Sequence, residues 1–153
     1  MKRSLILIIL AVLLCAGCAK EVDWYPVTVS FYIVDSEGND LLDPASESFI
    51  GDDISLSYKG NEYVYSIPTK TYLPVFYGLI IEKDNLVGKY CARFGELDGA
   101  DNYDDDFIIR FPDGTSRTLH YDRRVNCLTV SARQKWFLDG VRVDYPVIIT
   151  YQP

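Results

Sequence analysis

The chain has 153 residues, of which 48% are hydrophobic and 14% are aromatic, and its formal net charge is −7. This length suffices for one domain with a hydrophobic core and is too short for two ordinary domains. An acidic chain repels the phosphates of nucleic acids, so we expect no nucleic-acid partner. The many aromatic residues argue against disorder and are typical of β-structure.

The N-terminus has the features of an export signal. Lys2 and Arg3 precede an uninterrupted apolar run over residues 5–14. The run is about half of the roughly 20 residues that a helix needs to cross a bilayer. A short apolar stretch that follows positive charge and ends in small residues predicts a secretory signal peptide rather than a membrane-spanning helix.

The end of this signal contains Ala16, Gly17 and Cys18. These residues resemble the last three positions of the bacterial lipobox, in which the cysteine receives a diacylglycerol before the signal is cleaved. Cys15 departs from the family, which usually has leucine at that position. The resemblance implies a lipoprotein signal peptide over residues 1–17 and a lipid on Cys18. The alternative is an ordinary secretory signal cleaved near Gly17, which leaves Cys18 as a free thiol.

Residues 18–25 form a short tether to the first predicted strand. Ala19 stands where enteric bacteria use aspartate to retain lipoproteins at the inner membrane, so the resemblance favours the outer membrane. The segment 20–23 also partly resembles the acidic export tags of Bacteroidetes-type surface lipoproteins. We therefore expect an outer-membrane lipoprotein of the cell envelope, facing either the periplasm or the cell surface. A plain polar linker is the alternative interpretation of this segment.

The rest of the chain, residues 26–153, alternates between apolar and polar residues with a period of two, which predicts β-strands. Gly60 and Asn61 join two such runs and predict a tight hairpin. Asp43 and Pro44 predict the start of a short helical turn. The alternating or apolar runs lie at 27–33, 54–58, 63–67, 75–81, 86–94, 107–111, 117–121, 128–136 and 141–151.

This pattern predicts a single all-β domain, an antiparallel β-sandwich, with a small β-barrel as the alternative. Short connections favour antiparallel neighbours. The opening strand is followed by Asp35, Gly38, Leu41 and Leu42 in an Asp-x-x-Gly-x-x-Leu-Leu pattern. This stretch resembles transthyretin-like and immunoglobulin-like modules.

Few residues suit the familiar catalytic chemistries. His120 is the only histidine and lies on the polar side of its predicted strand, so we interpret it as a surface residue. A single histidine cannot build a multi-histidine metal site, and no Ser/His/Asp arrangement surrounds it. Cys91 and Cys127 are both predicted on polar faces, which permits a disulfide between them without requiring one. We expect a protein that is not an enzyme.

Five aspartates lie within the nine residues 98–106. Carboxylates suit a hard cation such as calcium, but Asp106 stands where an EF-hand loop starting at Asp101 requires glycine. The alternative, a solvated acidic loop without a metal, is our expectation, so we predict no cofactor. A hydrolase that uses these carboxylates is the second functional hypothesis. The candidate calcium ligands are Asp98, Asp101, Asp104 and Asp106.

Aromatic residues supply the first functional hypothesis, a binding module whose partner is a protein or a glycan. Four of them are candidates for a stacking platform, although alternating tyrosines also suit a hydrophobic core. The third hypothesis is a structural subunit of an envelope assembly that pairs through the strand at 141–151. The candidate aromatic residues are Trp24, Tyr58, Tyr63 and Tyr65.

Overall fold

A computed structural model describes residues 24–66, 78–126 and 129–152. The predicted signal peptide, Cys18 and Cys127 lie outside these residues. The described chain is all-β and contains ten strands: β1 Val27–Val34, β2 Ser55–Tyr58, β3 Asn61–Val64, β4 Leu79–Lys83, β5 Tyr90–Leu97, β6 Tyr103–Arg110, β7 Ser116–Asn126, β8 Ser131–Leu138, β9 Val141–Val143 and β10 Val147–Thr150. No helix in this part of the chain is long and apolar enough to cross a membrane.

The strands form two sheets that pack face to face. One sheet has four strands in the order β10-β1-β5-β4, and the other has six in the order β3-β2-β6-β7-β8-β9. Neither sheet closes into a barrel over the described residues. The predicted β-sandwich is therefore confirmed, and the barrel alternative is not.

The core lies between the two sheets, where side chains alternate inward along each strand. Phe94 of the four-stranded sheet meets Phe107 of the six-stranded sheet with ring centroids 5.8 Å apart. Tyr58 stacks on Phe107 at 4.6 Å and meets the edge of Phe94 at 5.6 Å. The largest fully buried side chains include Phe31, Phe94, Phe107 and Tyr121.

The predicted hairpin is confirmed. Tyr58 pairs with Asn61, and the two residues between them have positive φ, 48° at Lys59 and 79° at Gly60. Two central residues with positive φ match the right-handed twist of the flanking strands. The turn between β8 and β9 uses the same geometry at Asp139 and Gly140.

The last alternating run, 141–151, is not one strand. Pro146 interrupts it, because proline has no N–H to donate to a strand ladder. The residues before it form β9 at the edge of the six-stranded sheet, and those after it form β10 at the edge of the other sheet. β10 lies parallel to β1, with Val147 opposite Phe31, which corrects the expectation of antiparallel neighbours throughout.

Two further expectations need correction. Residues 43–49 form successive tight turns rather than a helical turn, because the Asp43 carboxylate accepts a hydrogen bond from the amide of Ala45 at 2.9 Å and favours a turn. The predicted run 86–94 begins as a turn, and Leu86 at its start is 97% exposed. The strand itself, β5, begins at Tyr90.

Candidate functional site

A cleft of about 310 Å³ opens at one end of the sandwich. We call it the aromatic cleft, because four of its nine lining residues carry aromatic rings. The segment that precedes β1 forms one wall, β7 and β8 form the floor, and the corner before β10 completes the rim. The lining residues are Trp24, Tyr25, Pro26, Val27, Thr28, Arg123, Gln134, Trp136 and Tyr145.

Strand register brings the floor of the cleft together. Arg123 of β7 lies opposite Gln134 of β8, and Tyr121 lies opposite Trp136. Because side chains two positions apart share a face, Arg123 points to the same side of β7 as the fully buried Tyr121. The cleft therefore begins where the core-facing side of the six-stranded sheet reaches the end of the sandwich.

A column of stacked rings supports the cleft. Tyr103 stacks on Tyr121 with centroids 5.9 Å apart, Tyr121 on Trp136 at 4.1 Å, and Trp136 on Tyr145 at 5.2 Å. Tyr145 ends the column and is 44% exposed, whereas the other three rings are buried. Its hydroxyl donates to the carbonyl of Thr28 at 3.3 Å. The column thus presents one fixed aromatic ring to solvent at the rim.

Of the nine described residues that line the cleft, Arg123 is the only charged one, and it is 7% exposed. Its Nη2 donates to the carbonyl of Gly99 at 2.7 Å, and its Nη1 lies 3.5 Å from the hydroxyl of Tyr121. The Trp24 ring lies over the guanidinium, with 5.9 Å between its centroid and Cζ. Among the described residues, no Asp or Glu forms an ion pair with Arg123.

Two buried N–H groups of the cleft have no hydrogen-bond partner within the described part of the chain. They are Nε of Arg123 and Nε1 of Trp136. A buried donor that is left unsatisfied costs about 1–3 kcal/mol, and a charged one costs more. Such groups call for a physical explanation, and a ligand that accepts both hydrogen bonds would supply one.

Gly99 fixes the wall of the cleft. A β-carbon at this position would overlap the carbonyl oxygen of Tyr25 and lie 3.1 Å from Cβ of Trp24. Only glycine lets the turn at 98–101 approach the segment before β1 so closely. Through this contact, and through its carbonyl, Gly99 links Trp24 and Tyr25 to Arg123.

The structure does not gather the four predicted aromatic candidates. Trp24 lines the cleft, but Tyr58 is buried against Phe107, and Tyr63 packs on Phe94 with centroids 4.9 Å apart. Tyr65 meets the edge of Phe49 at 6.5 Å. Tyr58 and Tyr63 serve the core between the sheets. Arg123, Trp136 and Tyr145 complete the cleft instead, and none of them was a candidate from the sequence.

The acidic stretch is only partly a loop. Asp98 and Asp101 lie in a turn, whereas Asp104 and Asp106 lie on the outer face of β6. Asp106 contacts Nδ1 of His120 at 2.8 Å, and Asp104 contacts Nη2 of Arg124 at 2.9 Å. Cross-strand pairing with β7 thus holds these carboxylates in a strand. Across the described residues, no three His, Cys, Asp or Glu side chains are grouped to hold a metal.

This arrangement leads to a prediction about calcium. Because Asp104 is paired with Arg124 and Asp106 already contacts His120, calcium at about 10 mM should raise the melting temperature no more than sodium at matched ionic strength. Differential scanning fluorimetry measures both shifts. A calcium-specific gain that is lost when Asp101 and Asp104 are both replaced by asparagine would contradict the prediction.

Cys91 lies on the predicted side of β5, but this side is not exposed. The residue is 2% exposed, its Sγ donates to the carbonyl of Phe31 at 3.5 Å, and it has no disulfide partner among the described residues. Burial raises the pKa of the Cys91 thiol to about 11, so almost no thiolate is present at neutral pH. Cys127 lies outside the described residues, and its pairing with Cys91 stays a prediction.

No protein-family model matches the chain, and no curated protein or solved structure is significantly similar to it. Fold and geometry define its class: a β-sandwich protein with an aromatic cleft at one end. The cleft contains one buried cation and two N–H groups that have no partner.

Proposed function

We propose that the chain is a non-enzymatic binding module of the bacterial cell envelope, anchored in the outer membrane by lipid on Cys18, and that its aromatic cleft binds a glycan. The lipobox-like residues 16–18 support the anchor. The resemblance of residues 27–58 to transthyretin-like and immunoglobulin-like modules is in keeping with a binding role. The cleft itself supports the ligand class.

The observation that carries this proposal is the combination of exposed aromatic rings with N–H donors in one concave site. A sugar ring has an apolar face of C–H groups and a rim of oxygen atoms. Tyr25 and Tyr145 offer aromatic faces to the first. Gln134 offers an exposed amide to the second, and the covered N–H groups of Arg123 and Trp136 would join it once the cleft opens. Ligand sites in proteins are typically concave, largely apolar and equipped with a few polar groups of this kind.

The tether would keep the cleft close to the membrane. Fully extended residues span at most about 3.3–3.6 Å each, so the chain from Cys18 to Trp24 reaches about 20 Å. Trp24 is itself part of the cleft wall. The proposed module therefore binds its glycan near the membrane surface rather than far from it.

The cleft does not favour hydrolysis. Glycosidases generally place two carboxylates on either side of the bond they cleave, and none of the nine lining residues is Asp or Glu. Asp104 and Asp106, the candidates from the sequence, lie on the outer face of β6 and are paired with Arg124 and His120. These observations support a binding role over the hydrolase hypothesis.

A second candidate function is assembly through a strand edge. β9 and β10 are the last strands of their sheets on the same side of the sandwich. Val141 on β9 is 67% exposed, and Ile148 on β10 is 62% exposed. An edge strand with exposed apolar side chains can pair with a strand of another molecule. Both edges are short, which makes this the weaker proposal.

Replacing Tyr145 by alanine tests the glycan site. We expect glycan affinity to fall about tenfold, because the loss of one stacking ring costs roughly 1–1.5 kcal/mol. Isothermal titration of the mature protein, with ligands first found on a glycan array, measures this loss. Ile148→Asp is the matched control, since it alters a neighbouring exposed residue outside the cleft and should leave affinity unchanged.

Two results would count against the glycan site. One is the absence of binding across the array, and the other is equal affinity of the wild-type protein and the Tyr145→Ala variant. Loss of binding in Ile148→Asp together with loss of self-association would favour the assembly role instead.

A further inference from the structure

We propose that the aromatic cleft selects glycans that carry a carboxylate, such as uronic-acid or sialic-acid sugars, and that Arg123 binds the carboxylate together with the indole N–H of Trp136. The inference rests on the proposed glycan-binding function and specifies the ligand class of that site.

The first argument is charge. The Arg123 guanidinium is 93% buried, and its hydrogen bonds in the described chain reach only neutral oxygens, those of Gly99 and Tyr121. Burial of a cation without a counter-ion is unfavourable. Among the residues that the structure describes, no Asp or Glu lines the cleft. The counter-charge that this guanidinium lacks would therefore come from a ligand.

The second argument is the pair of donors. Nε of Arg123 and Nε1 of Trp136 are both buried without a partner. Arg123 pairs with Gln134, and Trp136 lies two positions further along β8 on the same face, so both side chains belong to the cleft floor. A carboxylate has two oxygens and about four acceptor positions, enough for both N–H groups. The planar guanidinium also suits the planar carboxylate.

The third argument separates carboxylates from phosphates. A phosphate ester carries about 1.5 to 2 negative charges at neutral pH. Arg123 is the single cation of the cleft and matches one negative charge. A sugar carboxylate also places its charge on a ring that can stack on Tyr145.

Access to the two donors requires Trp24 to move. Its ring lies over the guanidinium, and both N–H groups are covered in the free protein. The chain has two tryptophans, Trp24 and Trp136, and both line the cleft. Intrinsic tryptophan fluorescence therefore reports on this site alone, and a bound ligand should change it.

The test uses the mature lipidated protein in detergent and a panel of uronic-acid and sialic-acid oligosaccharides. Each sugar is titrated as the free acid and as its neutral methyl ester, with galactose 6-phosphate as the phosphate probe. We expect the acid to bind at least about tenfold more tightly than its ester, because hydrogen bonds to charged groups are stronger than neutral ones. Tryptophan fluorescence should change only at concentrations at which the sugar binds.

The outcomes separate this inference from the function on which it rests. Equal affinity for acid and ester would overturn the carboxylate proposal and leave glycan binding intact. Tighter binding of galactose 6-phosphate than of every acid would also overturn it. If no acid, ester or neutral glycan binds, the proposed function fails, and the inference fails with it.

Trp136→Phe is the sharpest variant, because it removes the indole N–H and keeps a ring in the stack between Tyr121 and Tyr145. The free variant should melt at a somewhat lower temperature, because the smaller ring leaves part of the buried indole space empty, although a buried donor without a partner is removed as well. Its affinity for the acid should fall about five- to tenfold, with little change for the ester. A lower melting temperature with an unchanged ratio of acid to ester affinity would show a purely structural role and refute the assignment.

Arg123→Lys provides a second variant, which keeps the positive charge but loses the planar set of N–H donors of the guanidinium. We expect the preference for acid over ester to shrink without disappearing, and to weaken further at high salt. A preference that is unchanged in this variant would exclude the guanidinium as the carboxylate-binding group.

Discussion

Replacing Phe94 by alanine is expected to lower the free energy of unfolding by about 3–5 kcal/mol, the usual cost of truncating a buried phenylalanine. The Phe94 ring is fully buried on the four-stranded sheet. It contacts the rings of Tyr58, Tyr63 and Phe107, all of which belong to the six-stranded sheet. The substitution therefore opens a cavity at the junction between the two sheets.

Urea denaturation monitored by circular dichroism measures this loss. A domain of this size has a total stability of about 5–15 kcal/mol, so the change is a large share of the whole. Leu86→Ala is the control, because Leu86 is 97% exposed, and it should change stability by less than about 0.5 kcal/mol. A loss below about 1 kcal/mol in Phe94→Ala would mean that the rings do not form the central contact between the sheets.

Replacing Cys18 by alanine is expected to abolish lipid attachment and membrane retention. The lipobox resemblance places the acyl chains on this residue, and two or more chains give stable anchoring because each buried methylene contributes about 0.8 kcal/mol. Without the thiol, the precursor should keep residues 1–17. Incorporation of radiolabelled palmitate and the apparent mass of the protein measure both effects.

Cys15→Ala is the matched control, since this cysteine lies within the predicted signal peptide and is three positions from the proposed lipidation site. It should leave labelling and processing intact. Equal palmitate incorporation in the wild-type protein and Cys18→Ala would refute the anchor and, with it, the proposed location of the protein.

The sequence predicted the fold class well because strand periodicity is a local property. Alternation at 27–33 and 54–58 reports which side of a strand is apolar, and the structure confirms both strands. Alternation does not report which sheet a strand joins. It continues through 141–151, although Pro146 ends one strand and the chain then passes to the other sheet. The parallel pairing of β10 with β1 likewise depends on contacts between distant parts of the chain.

The candidate site was less predictable. One signal was present: Arg123 continues the apolar side of β7 after Leu119 and Tyr121, and a charged residue in that phase suggests a buried, functional position. The register of β7 and β8 places Arg123 near Trp136. The close approach of the chain at Gly99 places Arg123 near Trp24. The pairing of Asp104 with Arg124 is also a matter of register. None of these contacts is encoded in a local pattern.

The parallel pairing of β1 with β10 also affects how fast the protein folds. β1 is a central strand of the four-stranded sheet, yet one of its two neighbours is β10, the last of the described strands. Such distant contacts slow folding, because a long loop must close before they form. If the chain is exported as its N-terminus predicts, this delay would be useful. The four-stranded sheet cannot be completed until β10 has also crossed the membrane.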